Sequence, residues 1–137
     1  MIVVSACLAG INCRFDGKHK ENSKIVELVE KGEAIPVCPE LLGGLPAPRD
    51  PQEIIDGRVI TIKGEDVTEY FEKGANEVLR ICKENDCKKA ILKSRSPSCG
   101  VGFIGNGTFS GELIEGDGWT VRLLKENGIE VISSDNI

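Results

Sequence analysis

Three short apolar runs, residues 1–6 (MIVVSA), 34–37 (AIPV) and 88–93 (KKAILK), each lead into a cysteine-bearing loop. Aliphatic, β-branched runs of this length suit strands buried on both faces, the hallmark of parallel sheets. Helical patterns separate them. In Ser23–Lys31, Ile25, Val26, Leu28 and Val29 form a stripe, with Ser23 as N-cap and Gly32 as stop. A longer helix is predicted over 66–85, where Val67, Phe71, Val78, Ile81 and Cys82 share a face. Trp119–Asn127 reads as a third helix ending at Gly128, and Ile129–Ile132 as the last strand. Asp56-Gly57, between Gln52–Ile55 and Arg58–Ile62, signals a β-hairpin. The proline-rich stretch 39–51 and the glycine-rich stretch 100–118 read as loops rather than regular elements. Pro36 counts against a central position for its strand. The order predicts an α/β three-layer sandwich with a Rossmann-like or flavodoxin-like, largely parallel sheet and a small β-hairpin insertion.

At 137 residues, residues 1–137 are expected to form one domain whose core needs no disulfides. The formal charge of -5 excludes the overall basic character of a dedicated nucleic-acid-binding domain. With aromatics at only 4%, stacking platforms for single strands are also sparse. No apolar run approaches the roughly 20 residues of a membrane span, and MIVVSACLAG lacks the basic region of an export signal. A cytoplasmic location is expected, where six cysteines serve as core residues, metal ligands or nucleophiles rather than disulfides. The glycines of GVGFIGNG do not open a helix directly after the first strand, and no Walker lysine is present, so nucleotide-phosphate motifs are absent.

Parallel strands bring their carboxyl ends to one edge, where open α/β sheets bind ligands. Cys7, Cys38 and Cys99 follow the three runs, so they converge there if the strands are as read. Buried cysteines are often small hydrophobes. In loops beside Gly or Pro, such as ACLAG, VCPELLGG and SPSCGVG, ligand or nucleophile is the stronger reading. Three thiolates suit zinc or iron–sulfur chemistry. A closed zinc site wants a fourth ligand, which Cys13 or His19 could supply; a three-cysteine cluster instead leaves one iron open as a Lewis acid. No CxxC pair decides between them. Cys82 and Cys87 belong with the long helix and its end as core residues, and Cys13 stands as either neighbour or ligand.

Glu40, two residues beyond Cys38, would put a carboxylate at the rim of such a site as a general base, or else be a solvated or capping acid. Ser96 and Ser98, around Pro97, either offer hydroxyls to substrate or cap the turn before Cys99. Arg14, Asp16, Arg49 and Asp50 are charges inside Gly/Pro loops, most of them expected to serve turns or ion pairs. His19, within GKHKEN, is expected to be exposed.

Taken together, SACLAGINCRFDG (5–17), VCPELLGGLPAPRDPQE (37–53), LKSRSPSCGVG (92–102) and GTFSGELIEGDG (107–118) resemble the DUF523 family of small bacterial and archaeal proteins, represented by 2-thiouracil desulfidases. The blocks cover nearly the whole chain. The resemblance implies a desulfidase with a [4Fe-4S] cluster held by Cys7, Cys38 and Cys99, its fourth iron free for the sulfur of a small thiolated pyrimidine base or nucleoside. It makes Cys13 a non-ligand, Glu40 the acid of the CPE motif, and Ser96 or Ser98 the assisting hydroxyl. The implied reaction is hydrolytic rather than redox, with oxygen replacing sulfur on the base. The alternative from another class is a non-catalytic iron–sulfur or zinc module, a sensor or sulfide carrier, with Cys13 or His19 completing its site.

Overall fold

The computed structural model describes residues 1–137. Four strands, β1 (Ile2–Ser5), β2 (Ala34–Val37), β5 (Lys89–Leu92) and β8 (Glu130–Ser133), form one parallel sheet in the order β2-β1-β5-β8. Counted within the sheet alone this is the flavodoxin-like order, with its reversal at β1. Two hairpins lie outside it: β3 (Gln52–Ile55) with β4 (Arg58–Thr61), and β6 (Phe103–Gly105) with β7 (Leu113–Glu115). The expected three-layer architecture is present.

Alternation along the strands divides the core. Val3, Ala90 and Leu92 pack on one side with Val78 and Cys82 of α3 (Thr68–Glu84) and with Val121 and Leu124 of α4 (Trp119–Glu126). Val4 and Ile91 pack on the other with Ile25 of α1 (Ser23–Glu30). Pro36 is tolerated because β2 is an edge strand. At Asp56-Gly57 both residues have positive φ (50° and 75°), the signature of a type I′ turn.

Several sequence expectations are corrected. The cap of α1 is Asn22, not Ser23: the Asn22 side chain accepts from the backbone N–H of Lys24 (3.0 Å) and of Ile25 (3.4 Å). The proline-rich stretch begins with a short helix, α2 (Pro39–Leu42), because Pro39 sits at the first helical position, where no N–H is needed. The glycine-rich stretch contains the hairpin β6–β7, whose strands are three residues each and so carry too little alternation to read.

α2 is pressed against α3 through glycines on both helices' sides of the crossing. A Cβ on Gly74 of α3 would stand 1.8 Å from the carbonyl oxygen of Pro39, and one on Gly43 just past α2 would stand 1.9 Å from that of Tyr70. Neither obstacle is a flexible side-chain tip, so neither clash relaxes locally. Gly74→Ala should therefore destabilise the protein by about 1–3 kcal/mol or more, read as a lowered urea midpoint; an unchanged midpoint would contradict so close a crossing.

Candidate active site

β1 runs into a 3-10 turn, Ala6–Ala9, that carries Cys7. β2 runs into Cys38, which occupies the cap position of α2. β5 leads to the turn that holds Cys99, where Ser96 Oγ accepts from the backbone N–H of Ser98 (3.1 Å) and Cys99 (3.0 Å). That turn is docked onto α4: the N–H groups of Trp119 and Thr120, unpaired within the helix, donate to the carbonyls of Pro97 (2.8 Å) and Ser98 (3.0 Å). The packing is tight enough that a Cβ on Gly100 would meet Ser96 O at 2.6 Å and one on Gly118 would meet Ser98 O at 2.4 Å.

The three cysteines therefore line one cavity of about 500 Å³, together with Cys13, Glu40 and Ser96. Cys82 and Cys87 lie in the core, as their helical setting implied. His19 lies outside the cavity, exposed, its Nδ1 accepting from Glu21 N–H (3.1 Å). Asp16 pairs with Arg14 (3.5 Å) and caps the N–H of Lys18 (3.0 Å), and Asp50 pairs with Lys63 (3.5 Å), so both acids act as turn and ion-pair residues.

Cys13 is 2% exposed and packs with Cys7, Cys38 lying against the same cluster. Hydrogen bonding from Cys13 lowers the Cys7 thiol and brings Cys38 down to about 7, while the same contacts, to Cys38 first and then Cys7, push Cys13 up. Burial pushes Cys99 up, with the Ser5 hydroxyl pulling the other way. No three His, Cys, Asp or Glu side chains are close enough to grip one metal ion. A single zinc would gather sulfurs at about 2.3 Å from a common centre. Three cysteine thiols lining one cavity fit a polynuclear iron–sulfur group, which prefers thiolate ligands.

Glu40 is 7% exposed, and burial raises its carboxyl above the usual range despite the paired Arg49. Arg49 Nη2 donates to Oε2; Oε1 accepts nothing from the protein, and the residue lines the cavity. The two serines separate. Ser98 also lines the cavity, but it is 1% exposed and its hydroxyl is paired with that of Thr120 (2.8 Å), which ties it to α4. Ser96 Oγ accepts two backbone N–H groups, so its own proton is free for donation.

Of the cavity's cations the sequence points to Arg14 and Arg49, as charges inside Gly/Pro loops, and not to Lys20, Lys93 or Arg95. Five basic side chains, Arg14, Lys20, Arg49, Lys93 and Arg95, line it against the carboxylates of Glu40 and Glu53. The chain is acidic as a whole, yet the cavity is locally basic, which offsets the charge of thiolates and favours electron-rich ligands. Lys93 closes the apolar run 88–93 in the sequence, and in the fold it lies just past the end of β5. Arg95 has φ of 66°, a strained value for a residue with a side chain, and sits where the chain turns over the cavity.

The chain matches the family model described as 2-thiouracil desulfurase over residues 2–136. It is 48% identical to the protein YbbK of Bacillus subtilis (strain 168) over 147 aligned positions, covering 100% of this chain and 97% of that one. Among solved structures it is similar to the [4Fe-4S]-dependent thiouracil desulfidase TudS, with a TM-score of 0.95 and 43% identity over 99% of this chain and 91% of that chain.

In the metal-free protein, iodoacetamide should label Cys38 first, since it alone of the six cysteines is part-exposed. The rate should climb as pH rises through about 7, where its thiolate forms, while Cys82, raised to about 11, stays unlabelled until unfolding. Peptide mapping by mass spectrometry checks this; equal labelling of Cys82 in the folded protein would contradict it.

Proposed function

Because the chain belongs to the 2-thiouracil desulfurase family, we propose that residues 1–137 act as one desulfidase domain that hydrolyses a thiolated pyrimidine to its oxo form and hydrogen sulfide. The observation that carries this reading is the cavity itself: three cysteine thiols from three strand ends face a buried carboxylate whose Oε1 is free. Cys7, Cys38 and Cys99 would hold a [4Fe-4S] cluster, in keeping with the cofactor of the similar TudS. When bound, the cluster supplies a Lewis-acidic iron that draws electron density from a thiocarbonyl group.

The chain's own groups supply the rest. Glu40 takes a proton from water at Oε1; its raised pKa makes it a stronger base than an exposed carboxylate. The water oxygen bonds to the ring carbon that carried sulfur. In this reading Ser96, whose Oγ accepts two backbone N–H groups and so keeps its own proton unshared, would give that proton to the departing sulfur and recover one from Glu40. The C–S bond would break as the added hydroxyl gives its remaining proton to Glu40, which passes it on to sulfide or water; a C=O group remains, and no electrons are gained or lost overall. Cys13, held as a thiol between Cys7 and Cys38, keeps the two ligand sulfurs together without joining them. No helix is long and apolar enough to cross a membrane, and free thiols fit a reducing, cytoplasmic setting.

Anaerobic reconstitution with iron and sulfide, followed by 2-thiouracil, tests the reading. Wild type should release uracil and sulfide. Cys99→Ala should lose both cluster and activity, whereas Glu40→Ala should keep the cluster and lose at least about a hundredfold in rate. An intact cluster without turnover on any thiolated pyrimidine would leave a non-catalytic iron–sulfur module.

A further inference from the structure

Arg49 joins three segments of the cavity wall. Its side chain is only 5% exposed. Nη2 pairs with Glu40 Oε2, and Nη1 donates to the carbonyls of Cys13 (2.9 Å) and Pro46 (3.0 Å). Its backbone N–H donates to the carbonyl of Phe15 (2.7 Å). Nε is buried without a partner.

A guanidinium is planar, so two carbonyls on Nη1 set the direction from which Nη2 meets a carboxylate. Glu40 has no other side-chain partner, and it stands on a helix of only four residues. The position of its free oxygen is thus decided from the far side of the carboxylate, through Arg49, by the loop that carries Cys13. We propose that Arg49 is a positioning residue of the desulfidation: it locks Glu40 so that Oε1 faces the cavity, and it ties that orientation to the Cys7–Cys13 loop. The proposal rests on the desulfidase reading and adds to it a cavity-wall residue that acts through Glu40. Burial makes the arrangement costly to hold except as a whole, because either partner alone would be a desolvated charge. A lysine keeps the charge but cannot hold a carboxylate and two carbonyls in one plane.

The test compares reconstituted wild type with Arg49→Lys, Arg49→Gln, Glu40→Gln and the Arg49→Gln/Glu40→Gln double variant. Iron content and cluster absorbance are measured alongside 2-thiouracil kinetics, and thermal midpoints are taken without substrate. With Arg49→Gln, kcat should fall at least about tenfold, in line with the cost of misplacing a reacting group. KM should stay within roughly twofold and iron content should be unchanged, since Arg49 acts on the step rather than on binding. Arg49→Lys should fall between that variant and wild type. Each single Gln variant should lower the thermal midpoint, and the double variant should recover part of the loss, because no lone buried charge remains. A kcat within twofold of wild type, iron loss that accounts for the lost activity, or additive thermal shifts would overturn the proposal. If wild type carries its cluster and turns over no thiolated pyrimidine, the desulfidase reading and the catalytic placement of Glu40 fall together. The thermal cycle would then still decide whether Arg49 holds Glu40.

Discussion

Parallel pairing of β1 with β2 on one side and β5 on the other is the constraint from which the rest follows. Parallel strands end at the same edge, and the order reverses at β1, so the chain leaves a crevice there rather than a covered surface. Cys7 enters from the central strand, Cys38 from its edge neighbour and Cys99 from the opposite side. The residues come from opposite sides of the core as well: Cys7 packs with the α1 side and Cys99 with the α3–α4 side. The three thiols therefore line one cavity although they come from different strands and different sides of the core.

Two further contacts stop the crevice from collapsing or drifting. The amino end of α4 uses its unpaired N–H groups to hold the Pro97-Ser98 carbonyls, which satisfies the helix and fixes the Cys99 turn at once. The glycine-to-carbonyl crossing fixes α2, the helix that carries Glu40, against α3. The first is an interaction of partial charges and the second one of steric exclusion. Both act on backbone atoms, so side-chain flexibility does little to relax them.

Electrostatics then divides the labour within the cavity. Basic side chains concentrated there support thiolates and electron-rich ligands on a chain that is otherwise acidic. Of the two carboxylates there, Glu53 accepts the backbone N–H groups of Gly107 and Phe109, whereas Glu40 is a buried acid with a single cationic partner and one free oxygen. Cys13 has the opposite character from its neighbours, being kept protonated where Cys7 and Cys38 are pushed toward thiolates. The cysteines nearest one another thus differ in role because of their contacts, not their type.

Period and punctuation in the chain were enough to determine the α/β order, the I′ hairpin at Asp56-Gly57, the long helix and the location of three cysteines after strands. These depend on local backbone preference and on which face is apolar, both written in neighbouring residues. The four blocks around the cysteines and Glu40 also carried the family resemblance. The hairpin β6–β7 escaped because its three-residue strands carry too little alternation, and α2 because four residues make barely one helical turn inside a proline-rich stretch. The separate fates of Ser96 and Ser98 were not legible, since they turn on Thr120, 22 residues further along, and on backbone N–H groups that any turn might have used otherwise. Nor were the roles of Arg49 and Lys93, whose burial is set by segments distant in sequence. Which residues are capable of the chemistry is a property of side-chain type and so lay in the sequence alone; which of them are aimed, paired or spent on structure was decided only when folding brought distant carbonyls, hydroxyls and charges within hydrogen-bond reach.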